Sequence, residues 1–333
     1  MNKTIRWGIL GCGKIARKFA ADLALVKDAT LQAVASRDEA NAAAFAKAFN
    51  ALKSYGGYSA MLESPDIDVV YVATPHGLHY EHVMLCLEYG KAVLCEKAFA
   101  LNAAQAKAMI AKAREKKIFL MEALWSKFIP SYKKLISLKE EDALGNIRSA
   151  LINFGFIPQP PVAKRMYDPA LGGGTLLDIG IYNVFYALSV LGKPDSIEAS
   201  MTPAPTGVDE QCAILFKYHD GTLAQLFSSY TSHLATEADF NGDKGRVRLT
   251  HRFYTPDAAL EFYPDRADSK QIIPLDKSGG FGYHYEAAHV SDCLRQELTE
   301  SPVMTHADTI LLMETLDEIR RKAGIGYAVD VLT

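Results

Sequence analysis

From Ile5 to Met121, short apolar or β-branched runs alternate with segments of helical period. The runs are Ile5–Leu10, Leu31–Ala35, Val69–Val72, Ala92–Cys95 and Ile118–Met121; the helical segments include Asn41–Phe49, Leu78–Tyr89 and Ala103–Lys116. Continuous apolar runs suit strands buried on both faces, and helices between them supply the crossovers, so this part predicts a doubly wound parallel sheet of Rossmann type. After Met121 the texture changes. A helix over Ser131–Glu141 leads into an extended run, Arg148–Ile157, and Pro158, Pro160 and Pro161 open a loop that runs to Gly172-Gly173-Gly174. From Ser196 to Leu275, strand-length runs are separated by the turn signals His219-Asp220-Gly221, Asn241-Gly242-Asp243 and Pro264-Asp265. No helical period intervenes, which predicts an α+β domain with a largely antiparallel open sheet. Helical period returns in Leu176–Leu191, Tyr285–Glu297 and Ala307–Arg321, enough to cover one face of that sheet. The expected domains are 1–122 and 123–333.

Length agrees, since 333 residues at ~150 per domain make two domains. The 36 Lys and Arg against 39 Asp and Glu leave a net charge of −3, without the basic footprint of a nucleic-acid partner. The most apolar window, Leu176–Leu191, carries Asp178 and Asn183, so no membrane span is expected. The N-terminus turns to Gly8, Gly11 and Gly13 without the apolar core of a signal peptide, and the five cysteines are odd in number with no CxxC pair. Reduced thiols in a cytoplasm are the expectation, rather than a disulfide framework or a zinc site.

Gly11-Cys12-Gly13-Lys14-Ile15-Ala16 follows the first strand and opens a helix, matching G-x-G-x-x-G/A in the strand–turn–helix context that gives the motif meaning. Gly11 permits the tight turn, Gly13 lets the backbone approach a pyrophosphate, Ala16 allows close helix–strand packing, and the helix N-terminus offers N–H groups to the anion. Residues 1–122 are therefore expected to bind a dinucleotide. Where an NAD enzyme presents an acid to the ribose, this chain has Ser36 followed by Arg37, whose guanidinium suits a 2′-phosphate. That favours NADP, although Asp38, one register step on, keeps NAD open.

Two further segments fall at carboxyl ends of the parallel strands, where such sheets bind ligands: Ala73-Thr74-Pro75 with His79, and Cys95-Glu96-Lys97-Ala98. In the second domain Asp178 and Tyr182 stand at i and i+4, on one helical face. With the glycine fingerprint, Glu96-Lys97 and Asp178-Ile179-Gly180-Ile181-Tyr182 in this order, the chain resembles the glucose-fructose oxidoreductase/inositol dehydrogenase/MocA (Gfo/Idh/MocA) family over essentially its whole length. Tyr182 stands where many members have His. Together with Met121-Glu122-Ala123-Leu124-Trp125 and Tyr285-Glu286-Ala287-Ala288-His289, it makes the chain similar to the dimeric dihydrodiol dehydrogenases and NADP-dependent D-xylose dehydrogenases of that family. The resemblance implies Lys97 as catalytic lysine, Tyr182 as acid/base, and Glu96 as a partner of the nicotinamide ribose. Ala98 departs from the Pro usual there.

The chemistry agrees with those roles. Hydride transfer from a carbinol needs a group that takes the hydroxyl proton. A phenol with a pKa near ~10 becomes useful when a cation favours its phenolate, and Lys97 has that charge. Asp178 would orient Lys97 or a second substrate hydroxyl, or serve only as the far half of a Thr175-x-x-Asp178 cap. Tyr182 as a packed aromatic and Lys97 as a solvated strand end are the plain alternatives. His76, His79 and His82 lack a carboxylate or cysteine to complete a metal set, and no metal is expected; His79 is placed beside the nicotinamide or as a helix cap. Trp125, Phe154, Tyr167 and Phe281, with Phe128, Phe156, Tyr254 and Tyr283, are expected to wall a substrate ring on the second-domain side, for which a pyranose and a dihydrodiol serve equally. The expected function is thus an NADP-dependent oxidoreductase of a sugar or dihydrodiol, with a non-catalytic dinucleotide sensor as the alternative. Apolar residues on both sides of Gln211–Tyr218 and Thr222–Tyr230 predict a homodimer or higher oligomer.

Overall fold

The computed structural model describes residues 3–264, 269–276 and 279–331, so Asp265 of the expected Pro264-Asp265 turn lies outside the described residues. The chain divides into two compact units, residues 1–125 with 279–310, and residues 126–278 with 311–333.

The first unit holds a six-stranded parallel sheet of order β3-β2-β1-β4-β5-β6. Its strands are β1 (Ile5–Leu10), β2 (Ala29–Ala35), β3 (Lys53–Tyr55), β4 (Val69–Val72), β5 (Ala92–Glu96) and β6 (Leu120–Ala123). The interior strands β4 and β5 are buried throughout, as continuous apolar runs require. Between them lie α1 (Lys14–Leu23), α2 (Glu39–Phe49), α3 (Tyr58–Leu62), α4 (His79–Glu88) and α5 (Ala103–Lys116). β6 starts at Leu120, later than the apolar run suggests. Helix α5 closes on Lys117 in the left-handed conformation (φ +55°), and the Ile118 N–H returns to the Ala113 carbonyl at 2.9 Å, so Ile118 is spent ending the helix.

The expected boundary needs a correction. The helix expected over Tyr285–Glu297 to cover the antiparallel sheet is α8 (Tyr283–Arg295), and it belongs to the first unit, packed beside α1. The Trp7 indole N–H donates to Ser291 Oγ at 3.3 Å, and the buried Asp22 carboxylate on α1 accepts the N–H groups of Phe281 (2.8 Å) and Tyr283 (2.7 Å). The apolar face Tyr283, Ala287, Val290 and Cys293 finds its complement there.

The second unit holds an eight-stranded mixed sheet of order β14-β13-β12-β11-β7-β10-β9-β8. The strands are β7 (Ile147–Gly155), β8 (Ser196–Pro203), β9 (Asp209–Lys217), β10 (Leu223–Ser229), β11 (Glu237–Gly242), β12 (Gly245–Thr250), β13 (Ala259–Pro264) and β14 (Gln271–Ile273). Every neighbouring pair is antiparallel except β7 with β10. One face carries Ile152, Phe154, Ile214, Phe216, Ala224 and Leu226, all buried, with α6 (Pro130–Glu140) and α7 (Ile181–Leu191) in this unit. By alternation Leu151, Ala213, Leu215, Leu223 and Phe227 fall on the opposite face, with Leu151 and Leu223 exposed. Helix α9 (His306–Ala323) contains the boundary at residue 310. The segment Pro169–Leu191 is long and apolar enough to cross a membrane by length and composition alone, and 83% of its most apolar window is buried inside the protein, as in a core helix.

Candidate functional site

In the first unit the glycine loop has the conformation its sequence anticipates. Gly11 has φ +98°, and a Cβ there would stand 3.0 Å from Thr74 Cγ2 and 3.1 Å from the Ala73 carbonyl oxygen, so only glycine fits the turn against the end of β4. A Cβ on Gly13 would meet nothing within 4 Å, and no side chain caps α1, whose first residues Lys14 and Ile15 are exposed and half-buried. Ala16 is fully buried against the sheet. This is an open cradle of N–H groups at a helix N-terminus, which fits a dinucleotide pyrophosphate. Cys12 is buried with its thiol directed at the Ala35 carbonyl (3.6 Å), and burial pushes its pKa up to about 11.

At the end of β2, Ser36 is buried; its Oγ accepts from the Asp38 N–H and the Asn41 side-chain amide, both at 3.3 Å. Asp38 caps α2, accepting from the Ala40 N–H (2.9 Å) and the Asn41 N–H (3.3 Å). Its carboxylate therefore has a structural use. Arg37 is exposed between them, close enough to lower the pKa of His82 and oppose the rise in that of Tyr58, both of which burial governs. The Tyr58 and His82 rings meet edge to face at 4.8 Å, and His82 Nδ1 lies 2.9 Å from Thr74 Oγ1.

The expectation that His79 borders the nicotinamide or caps its helix needs revision. The ring is fully buried, with Nδ1 2.7 Å from the Ala98 carbonyl oxygen and Nε2 2.7 Å from that of Thr74. Two carbonyls favour the imidazolium, but burial outweighs them and pushes the pKa down to about 4, so the neutral ring donates to one of them. His79 joins the Thr74-Pro75 loop to the loop after β5, and both ring edges are spent there. Glu96 is likewise turned inward: its Oε1 accepts the hydroxyl of buried Tyr71, so that oxygen is not offered to a ribose. Glu286, on α8, is fully buried as well; burial first, then the charges of Glu96 and Asp22, push its pKa well above the usual carboxylate value and favour its neutral form. Glu286 falls in the Tyr285–His289 segment that carries the resemblance, but nothing local marks it as a buried acid, because the charges of Glu96 and Asp22 reach it from distant segments. Lys97 is half-buried at the end of β5, and the Lys97–Ala98 peptide is cis. Among the described residues, no group of three or more His, Cys, Asp and Glu is placed to hold a metal ion.

In the second unit the segment expected as one helix begins as a π turn, Leu176–Gly180, before α7. The Thr175-x-x-Asp178 cap does not form. Asp178, buried, instead accepts from the Tyr230 hydroxyl at 2.7 Å (Oδ2) and from the Arg165 guanidinium at 3.1 Å (Oδ1). Tyr182 is buried among aromatics, 4.7 Å between ring centroids from Tyr254 and 6.1 Å from Phe154, which itself stacks on Tyr254 at 4.5 Å. Tyr167 is partly exposed, edge-on to Tyr230 at 5.6 Å. Trp125, Phe281 and Tyr283 were expected with the second domain and belong to the first unit. Trp125 stacks on Tyr283 (4.5 Å, 5°), and Phe281 is 49% exposed with the Lys18 ammonium 5.4 Å from its ring centre. Tyr254, expected as a wall aromatic, lies in the second unit beside Tyr182 and Phe154, whereas Arg165 and Tyr230 escaped the site expectations because no motif surrounds them.

A glycine cradle at a helix N-terminus on a parallel sheet, with a second unit carrying an aspartate and a tyrosine among aromatics, defines an NAD(P)-binding oxidoreductase. Residues 5–124 match the oxidoreductase family with NAD-binding Rossmann fold, and residues 132–248 match the GFO/IDH/MocA C-terminal domain. The chain is 36% identical over 329 residues to a trans-1,2-dihydrobenzene-1,2-diol dehydrogenase of Xenopus tropicalis, covering 97% of this chain and 99% of the relative. It is 37% identical over 334 residues to the Homo sapiens protein of that name, covering 98% and 99%. Among solved structures it is similar to a 3-ketoreductase from Actinomadura kijaniata in complex with NADP and TDP-benzene, with TM-score 0.86, 27% identity and 96% and 98% of the two chains covered. The chain belongs to the Gfo/Idh/MocA oxidoreductase family, and it is a dehydrogenase.

Proposed function

We propose that the chain is an NADP-preferring dehydrogenase moving a hydride between nicotinamide and a carbinol carbon of a dihydrodiol or a sugar, with Lys97 and Tyr182 as its acid/base pair. The relatives named for a dihydrobenzenediol and the ketoreductase solved with NADP support the substrate and cofactor classes. The observation that carries the cofactor preference is the division of labour after β2: Asp38 is committed to the α2 cap, leaving exposed Arg37 as the charged side chain there. A guanidinium fork pairs with a 2′-phosphate, which NAD lacks.

The bound cofactor supplies the hydride acceptor. Gly11, Gly13 and the first turn of α1 would hold its pyrophosphate. In alcohol oxidation Tyr182 takes the hydroxyl proton, Lys97 lends the positive charge that favours phenolate and alkoxide, and in reduction the proton returns to the carbonyl oxygen. Asp178, anchored by Tyr230 and Arg165, presents a fixed carboxylate one helical turn before Tyr182. Phe154 and Tyr254 offer ring faces to a cyclic substrate.

The test incubates the purified protein with NADP or NAD and a panel of dihydrodiols, pentoses and hexoses, following the reduced cofactor by absorbance. Tyr182→Phe and Lys97→Met should each lower kcat by ~10²-fold or more on the best substrate, with dinucleotide affinity of Tyr182→Phe little changed. Near-normal turnover by Tyr182→Phe would overturn the acid/base assignment.

A further inference from the structure

The helix that carries Tyr182 is anchored by a residue outside it. Asp209, the first residue of β9, is fully buried and reaches the helix N-terminus: its Oδ2 accepts the Thr175 hydroxyl at 2.6 Å and the Leu176 N–H at 2.7 Å. Because Thr175 gives its one hydroxyl proton to Asp209, Ser228 on β10 is the donor in the 3.0 Å contact between Ser228 Oγ and Thr175 Oγ1. Gly174 completes the clamp. Its φ is +114°, and a Cβ there would stand 2.2 Å from Asp209 Oδ1, so the loop closes on the carboxylate only with glycine in that place. Tyr327 fixes the preceding turn by donating to the Gly173 carbonyl at 2.7 Å.

What starts at this clamp is the π turn Leu176–Gly180. A π turn takes up an extra residue, so the direction of every later side chain depends on where the turn begins. Asp178 lies inside it, and Tyr182 follows it directly on α7. We propose that Asp209 is a positioning residue for Tyr182: its carboxylate fixes the start of the π turn and so aims the Tyr182 hydroxyl, without itself touching substrate. The inference rests on the reading of Tyr182 as the proton carrier.

The clamp has a pH dependence. Burial raises the Asp209 pKa to about 6, against the hydrogen bonds from Thr175 and Leu176 that favour its charge. Above that value a carboxylate faces the helix N-terminus, as the dipole prefers; below it a neutral acid does. The titratable groups around it are Cys212 on β9, Tyr230 beyond β10 and Tyr327 in the C-terminal segment, with Arg320 beyond the Tyr327 ring at 5.1 Å. Burial raises the thiol and both phenols, so they keep their protons at neutral and acidic pH, and the guanidinium keeps its charge.

The experiment follows kcat for carbonyl reduction from pH 5 to 8. In this direction Tyr182 gives a proton, and its protonated form persists as pH falls, so a decline below about pH 6 belongs to another group. Asp209→Asn should lose that decline and lower kcat by roughly 10-fold at pH 7.5, with KM and dinucleotide Kd within about 2-fold, because misaiming costs rate rather than binding. Thr175→Val removes one donor but leaves the carboxylate, so it should lower kcat while keeping the decline. The double variant should be little worse than the worse single. If Asp209→Asn fails to fold, Thr175→Val alone decides by the split between kcat and KM. Wild-type kcat and an unchanged decline in Asp209→Asn, with Tyr182→Phe inactive, would overturn this inference alone. Parallel loss of kcat, substrate affinity and thermal stability would reduce Asp209 to a structural residue and overturn it as well. Full turnover by Tyr182→Phe would overturn both this inference and the reading beneath it.

Discussion

Replacing Arg37 by alanine removes the exposed guanidinium at the end of β2 and leaves Ser36 and the Asp38 cap in place. A hydrogen bond to a charged group contributes about 1.5–3 kcal/mol. Arg37 sits in water, which screens it, so the low end applies: ~1.5 kcal/mol, or roughly 10-fold in Kd, for one contact, and up to ~150-fold if the fork engages the 2′-phosphate with both arms. NAD lacks the phosphate and should weaken by less than ~2-fold. Arg37→Lys keeps the charge but loses the fork and should fall between. Isothermal titration of each variant with NADP and NAD, at two salt concentrations, reads both terms, since the charge contribution shrinks as salt rises. Equal weakening for the two cofactors, or tighter binding of NAD by the unaltered protein, refutes the argument.

Asp22→Ala strands the buried N–H of Tyr283 and the part-buried N–H of Phe281 and should destabilise the first unit by about 3 kcal/mol, seen as a fall of roughly 6–12 °C in calorimetry; a shift under ~2 °C would contradict it. His79 and Asp209 should show opposite acid responses. The His79 pKa is about 4 in the folded chain against 6.5 unfolded, so stability is lost as pH falls from 6.5 to 4; Asp209 is at about 6 against 3.8, so stability is gained as pH falls from 6 to 3.8, each by roughly 3 kcal/mol. Urea midpoints from pH 7.5 to 4.5 should therefore fall less steeply in His79→Gln and more steeply in Asp209→Asn than in the wild type, and the reverse order would refute the assignment. The exposed face with Leu151, Leu215, Leu223 and Phe227 is proposed to pair with its copy, so sedimentation should give twice the 36.5 kDa chain mass, and a single-chain mass at micromolar concentration would refute it.

The parallel half was legible because its signals are local. Ile5–Leu10, Val69–Val72 and Ala103–Lys116 form over the residues their patterns indicate. The edge strand Lys53–Tyr55 was not, since three polar-leaning residues show no alternation. Site residues divide the same way. Gly11 and Gly13 answer to backbone geometry written in the motif, whereas Asp178 carries a cap-like spacing but is turned to Arg165 and Tyr230, while Asp209, 31 positions on in the sequence, takes the Thr175 hydroxyl and the Leu176 N–H. Glu96 and His79 sit in motifs that suggest a ligand, yet Glu96 Oε1 faces Tyr71 and both His79 ring nitrogens face backbone carbonyls, partners that only the fold supplies.

The return of residues 279–310 to the first unit has a consequence for biosynthesis. Trp7 on β1 meets Ser291, 284 positions further along, and at roughly 5–20 residues per second a ribosome needs about a quarter of a minute to a minute to deliver that partner. The nascent parallel sheet must wait through that interval with Trp7, Phe19 and the Asp22 carboxylate uncovered by α8, while residues 126–278 emerge complete. A chain ended at residue 122 would never acquire that cover, so the dinucleotide half should be recovered as a soluble fragment only when the segment from 279 to 310 is joined to it.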